Sequence, residues 1–273
     1  MTFNMKYKVT EDLLPIVKKG RRQGIKNNGI RFSVLHDVGN DGHNKRTGKK
    51  EGTTARGNVS YYRNTPNVQA SAQVFIDDKE ILVCIPLNEK AWHVLYNVTS
   101  DNQIYGDDAN DISIGVELCY YPEDKARTLE SYKKYIWFNA WLAYEYKLNP
   151  HTSFIGHHKL DPKRKVDPMN ALKILGKTYE QLLQDIVDEY MECITGIKEE
   201  NTTKPVIKKE EVKLYKPSSS AVKQDTLAVL KQLEQGDKGL NEKWRLQLLN
   251  DELSESDAIG LLYTAINRGL LSK

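Results

Sequence analysis

The sequence predicts an α/β fold, with a mixed central sheet flanked by helices and a small helical domain appended at the C-terminal side. Three observations carry this. Residues 30–36 and 112–119 alternate apolar and polar side chains with the period of two of a half-buried strand. Residues 127–148 place apolar side chains at helical spacing and stop at Asn149-Pro150, just before a short strand at 153–156. A strand, a crossover helix and a second strand make a right-handed unit whose strands run parallel. Residues 72–76 and 81–85, joined by Asp77-Asp78-Lys79-Glu80, read instead as an antiparallel hairpin.

In chain order, the strand at 30–36 puts Ile30, Phe32, Val34 and His36 on one face and ends in the polar run from Asp37 to Gly42. From residue 42 to residue 67 the chain is polar and broken by Gly52, Gly57 and Pro66, which predicts a long loop. After the hairpin, Pro86 ends the second strand and Ala91-Trp92-His93 follows in a loop. In the strand at 112–119, Ile112, Ile114, Val116 and Leu118 share one face, and Ser113, Gly115, Glu117 and Cys119 the other. The helix at 127–148 carries Leu129, Tyr132, Ile136, Ala140 and Ala143 on one stripe, widened by Trp137, Trp141 and Tyr144. Thr178 and Gln181 have the spacing of a capping box at the head of a helix bearing Leu182, Ile186 and Tyr190.

The character then changes. Residues 197–216 mix charges of both signs with proline and offer almost nothing to bury, which predicts a linker between a domain at 1–196 and a second at 217–273. The second contains three short predicted helices, near 226–235, 241–249 and 254–269, and no titratable cluster suited to catalysis. A segment this small buries little core by itself, so it is expected to dock on something or on a copy of itself.

Composition narrows the function. With 39% hydrophobic and 28% charged residues the chain is an ordinary globular protein, and a net charge of +3 without a dense basic tract gives no reason to expect nucleic acid. There is no apolar leader at the start and no run of eighteen apolar residues, so synthesis in the cytoplasm is expected, with no membrane insertion and release by another factor. Cys84, Cys119 and Cys193 have no metal-site spacing, and the first two sit in apolar strand-like runs as buried thiols.

The chemistry concentrates between Gly156 and Pro168. His157 and Asp167 lie ten residues apart across a segment that Pro162 and Pro168 keep from being a regular helix. Such a segment folds back and brings its ends together. Imidazole and carboxylate are both zinc ligand types, and Lys165 would sit beside them. A further ligand is required. Alone, His36 reads as a histidine hydrogen-bonded at a strand end; next to a second ligand pair it becomes a candidate. Glu117, a carboxylate within a strand, fits a buried salt bridge and a reactive group equally well.

Taken together, Val34-Leu35-His36, Ala91-Trp92-His93, the run from Asn110 to Glu117, Gly156-His157 and Asp167-Pro168 resemble the type 2 N-acetylmuramoyl-L-alanine amidases. These are zinc enzymes that share a fold with peptidoglycan recognition proteins and occur as phage endolysins and bacterial autolysins. The resemblance spans residues 30–190. It implies Zn2+ held by His36, His157 and Asp167, catalytic roles for Glu117 and Lys165, and a substrate groove touched by Trp92, His93, Asn110 and Gln73. Gln73 stands where the family often has histidine, and Asp167 where some relatives use cysteine. His158 lacks the ten-residue spacing, while His43 and His151 match nothing and are expected at the surface.

The implied substrate is bacterial peptidoglycan, cut between N-acetylmuramic acid and L-alanine by an endolysin or an autolysin. Residues 217–273 would bind wall polymers, self-associate, or do both. Two other classes compete: a non-catalytic peptidoglycan-binding module, which need not keep all five site residues, and a cysteine hydrolase using Cys119 with His157. In the second, Cys119 sits in a strand with no sign of a helix N-terminus to lower the thiol pKa.

Overall fold

The structure is a computed structural model, and it describes residues 2–97, 101–196, 215–234 and 243–250 together with Leu253, Ala258 and Leu261. The chain divides into two compact units, Met1–Glu199 and Glu200–Lys273. Most of the predicted linker at 197–216 and most of the predicted helix at 254–269 lie outside the described residues.

Among the described residues, unit one is built on six strands: β1 (Val9–Glu11), β2 (Phe32–Asp37), β3 (Val74–Ile76), β4 (Ile81–Val83), β5 (Ser113–Leu118) and β6 (Phe154–Gly156). They form one sheet in the order β1-β4-β3-β5-β2-β6. Strand β2 pairs in parallel with β5 and β6, β3 is parallel to β5, and β4 runs antiparallel to β3 and parallel to β1. The sheet is therefore mixed, as expected. The strands flanking the crossover helix are parallel but not adjacent, because β2 lies between β5 and β6. That insertion lines up three carboxyl ends, and the register sets His36 beside Glu117 and Leu35 beside Gly156, the residue before His157.

The helices of unit one are α1 (Ala55–Asn64), α2 (Asp101–Tyr105), α3 (Ala109–Ile112), α4 (Lys125–Glu145), α5 (His157–Leu160), α6 (Met169–Leu175) and α7 (Tyr179–Thr195). One sheet face packs Leu35, Ile114, Val116 and Leu118 against Tyr135, Phe138 and Leu142 of α4, Leu172 of α6 and Ile186 of α7, forming the main core. Of the predicted α4 stripe, Tyr132, Ala140 and Ala143 are buried, whereas Leu129 is 37% exposed near the first turn. The α7 capping box is present, with Thr178 Oγ1 accepting from the Gln181 amide and Gln181 Oε1 from the Thr178 amide. Such a cap contributes on the order of 1 kcal/mol.

The predicted loop at 42–67 is only partly a loop. Its second half folds as α1, started by Thr54, whose hydroxyl accepts from the Gly57 amide. Ala55 and Val59 pack with Phe75, Leu82 and Cys84 on the opposite sheet face, and Tyr62 joins them. The first half remains irregular and approaches the segment after β5 closely at Gly52, where φ is +73° and a Cβ would meet the Tyr120 carbonyl at 2.2 Å. Unit two contains α8 (Ser220–Leu233) and α9 (Lys243–Leu249), which bury Leu230 and Leu248 with Leu253 and Leu261.

Candidate active site

The carboxyl ends of β2 and β6 and the loop after α5 converge. His36 is the penultimate residue of β2 and His157 starts α5, and both residues are almost fully buried, at 2% and 1% exposure. The return loop closes on itself: the His158 amide donates to the Asp167 carbonyl (3.1 Å), and the Lys165 amide to the Asp161 carbonyl (2.9 Å). This sets Asp167 Oδ2 2.8 Å from His36 Nδ1 and 3.0 Å from His157 Nδ1. The three ligand atoms lie within 4.8 Å of one another and could hold a metal ion. The segment read as non-helical does include one helical turn, α5, before Pro162.

Asp37, the residue after His36, fixes the far end of this loop. Its buried carboxylate accepts from the Asn170 amide (2.9 Å), the Asn170 side chain (3.0 Å) and the Ala171 amide (3.2 Å). Two short tethers, one residue from His36 and three from Asp167, thus hold strand and loop in register. Nothing in the sequence marked Asp37 for this work.

Electrostatics follow from burial. Burial pushes the His36 imidazole down to about 4 against the hydrogen bond with Asp167, so the ring is neutral near pH 7. Burial raises the Asp167 carboxyl, but the adjacent His157 and His36 rings outweigh it and hold it well below the usual carboxylate range. Glu117 moves the other way: burial, then the charges of Asp167 and Asp37, push it well above the usual range, while Lys165 opposes. Its Oε2 is buried and makes no hydrogen bond among the described residues. A groove of about 520 Å³ opens onto Glu117, with Asn40, Thr53, Asn58, Tyr61 and Tyr62 among its walls. Four of those five come from the segment read as a loop.

The remaining candidates divide. Lys165 is half-buried on the return loop, within electrostatic reach of both Glu117 and His36. Trp92 is half-buried under the Lys90 ammonium, 4.1 Å from its ring, and its indole nitrogen makes no hydrogen bond among the described residues. Gln73 and Asn110 differ from the expected groove contacts. Gln73 is fully buried, accepting from the Gly115 amide (2.8 Å) and donating to the Glu89 carbonyl (3.2 Å). Asn110 is equally buried and brackets Val94, accepting from its amide and donating to its carbonyl, both at 3.0 Å. Both side chains are engaged with buried backbone groups, and the Asn110 amide also donates to Asp108 Oδ1 (2.8 Å). At Gly115 a Cβ would lie 2.6 Å from Cγ of His93, so the approach of that ring requires glycine there.

His158 turns its ring to the Asp167 carbonyl (3.2 Å) and to the Tyr179 edge, away from the ligand cluster, and His43 and His151 are exposed. Cys119 is fully buried, and burial with the charges of Asp77 and Glu117 pushes its thiol well above the ordinary value. That is the opposite of an activated nucleophile.

Known proteins resemble this arrangement. The profile of the N-acetylmuramoyl-L-alanine amidase family matches residues 26–170, more than half of the 273 residues. The N-acetylmuramoyl-L-alanine amidase BlyA of Bacillus subtilis (strain 168) is 33% identical over 118 residues, covering 40% of this chain; the chain spans 29% of that protein. Among solved structures, the catalytic domain of PlyG has a TM-score of 0.50 at 20% identity, covering 67% of this chain and 95% of that one. The Staphylococcus aureus hydrolase AmiA, solved with its ligand, has a TM-score of 0.52 at 22% identity, covering 68% and 85%. At such identities the structural likeness establishes the α/β fold, and the profile match establishes descent: the chain belongs to the N-acetylmuramoyl-L-alanine amidase family.

Proposed function

We propose that this chain is a zinc-dependent amidase that cleaves the bond between the lactyl group of N-acetylmuramic acid and L-alanine in bacterial peptidoglycan, acting as a phage-type endolysin. The observation that carries the reading is the meeting of His36, His157 and Asp167 next to Glu117 at adjoining strand ends, in a chain of this family. The donor set suits zinc: two imidazoles and one carboxylate are the three-ligand pattern of a catalytic site. Zinc bound there would supply Lewis acidity towards water and the scissile carbonyl.

The protein's own groups do the rest. Burial and the neighbouring carboxylates raise the Glu117 carboxyl well above its ordinary range, which makes it a stronger proton acceptor than an exposed glutamate. Glu117 would accept the proton of the attacking water and pass one to the departing amine of L-alanine. The Lys165 ammonium would face the oxyanion developing on the lactyl oxygen. Losing one oxyanion donor costs about a hundred- to a thousand-fold in rate, so Lys165→Ala is expected to lose that much kcat while retaining its zinc content. Full activity in that variant would remove Lys165 from the mechanism.

The decisive experiment is metal analysis of the purified chain combined with mass spectrometry of digested peptidoglycan. New L-alanine amino termini, abolished by chelation and insensitive to thiol alkylation, are expected. A chain that binds walls and releases none is a binding module. An autolysin has the same chemistry and differs only in source.

For residues 217–273 the proposed role is wall binding, with self-association as the physical alternative. Val229, Leu246 and Leu249 are 43%, 43% and 53% exposed and give that unit apolar surface to offer. The full chain is expected to sediment with purified walls, and a version ending at residue 196 to do so less. Equal sedimentation, with both versions monomeric in the ultracentrifuge, would defeat both roles.

A further inference from the structure

We propose that His93 is a positioning residue of the metal site, fixing the tautomer of the ligand His36, and not a substrate contact. The inference rests on the metal-site reading above. His93 is 9% exposed, its ring seated over Gly115 where no side chain larger than hydrogen fits. Its Nδ1 lies 3.1 Å from His36 Nε2, and its Nε2 lies 3.3 Å from Ser113 Oγ. Ser113 Oγ in turn lies 2.6 Å from the Ala109 carbonyl.

That last contact gives the chain a direction. A carbonyl only accepts, so Ser113 must donate to Ala109 and use its oxygen lone pair towards His93. His93 Nε2 then carries the proton and donates to Ser113. As a neutral ring, His93 leaves Nδ1 as an acceptor, so His36 must donate from Nε2. A neutral His36 with its proton on Nε2 presents the Nδ1 lone pair to the cluster, which is the form a metal ligand requires.

The same logic tests whether a cation fits. The His36 Nδ1 lone pair would face a carboxylate oxygen only 2.8 Å away, two electron-rich atoms in contact. A metal ion at Nδ1 removes that repulsion and leaves the Nε2 proton with His93. His157 has no such partner: its Nε2 is buried without a hydrogen bond among the described residues. The positioning is specific to His36.

Zinc affinity, measured by competition against a chromophoric chelator, tests the proposal. Removing the outer partner of a ligand histidine typically weakens metal binding about 10- to 100-fold, so H93F, which keeps ring volume without an acceptor, is expected to fall by that factor. H93Q, with a carbonyl oxygen to accept and an amide to donate, should stay nearer wild type. Independently of any variant, 15N spectra of histidine-labelled protein kept in chelator should show the His36 proton already on Nε2. Wild-type affinity in a folded H93F, or a His36 proton on Nδ1 in the metal-free protein, would overturn the proposal and leave the metal site standing. A wild-type chain that binds no zinc would overturn both.

Discussion

Glu117→Gln is expected to lower kcat on peptidoglycan by about a hundred- to ten-thousand-fold, the usual contribution of a positioned general base. Glutamine keeps the shape and removes only the capacity to take a proton. Zinc content should be unchanged, because Glu117 is not among the three groups that converge on the metal position. Retained turnover in a zinc-loaded E117Q would remove Glu117 from the proton-transfer role.

The same substitution should stabilise the fold. Burial and the neighbouring Asp167 and Asp37 raise the folded-state pKa of Glu117 above its unfolded value. Below the unfolded pKa of about 4.3 the group is protonated in both states and costs nothing. As pH rises from there towards the folded pKa, the unfolded chain ionises first and stability is lost; above the folded pKa the penalty is complete. The thermal advantage of E117Q over wild type should therefore be absent near pH 4 and grow towards pH 8. An active-site group that favours chemistry at the expense of stability gives this opposite pair of responses. Paired melting curves at the two pH values, in chelator, check the sign.

Much of this site could be read from the sequence because it sits where periodic patterns end. His36 lies near the end of a strand with clear apolar alternation, His157 follows a short strand, and Asp167 is placed by prolines that restrict the return loop. The α7 cap was equally readable, since Thr178 and Gln181 are local partners. What escaped depends on contacts distant in sequence. Helix α1 shows only Ala55, Val59 and Tyr62 at helical spacing around Gly57, and it is held by Phe75 and Leu82, which are not its neighbours in sequence. The insertion of β2 between β5 and β6 is a matter of strand pairing, which alternation does not encode. Gln73 and Asn110 resemble groove residues by type, and only their hydrogen bonds reveal that they hold backbone. The work of Asp37 is likewise visible only once Asn170 and Ala171 are folded against it.

Asp167→Ala should abolish metal-dependent stabilisation as well as activity, and the two losses separate by measurement. In the wild type, a ligand that binds only the folded state adds about 2.7 kcal/mol when present at 100 times its dissociation constant. For a unit of this size that corresponds to a rise in Tm of roughly 5–10 °C on adding zinc. Asp167 Oδ2 is the atom that touches both imidazoles, so its removal leaves two ligands with no anion between them. The zinc-dependent rise should vanish and turnover should fall to background. A second loss is expected even in chelator. Because, against burial, the contact with His157 depresses its folded-state pKa, Asp167 contributes stability above the unfolded value of about 3.9 and surrenders it as pH falls through the folded pKa. The metal-free variant should therefore melt below the metal-free wild type at pH 7, and the gap should narrow in acid. If zinc raised the Tm of D167A as far as that of the wild type, the ion would be held elsewhere, and the convergence of residues 36, 157 and 167 would owe its existence to an ion-pair network alone.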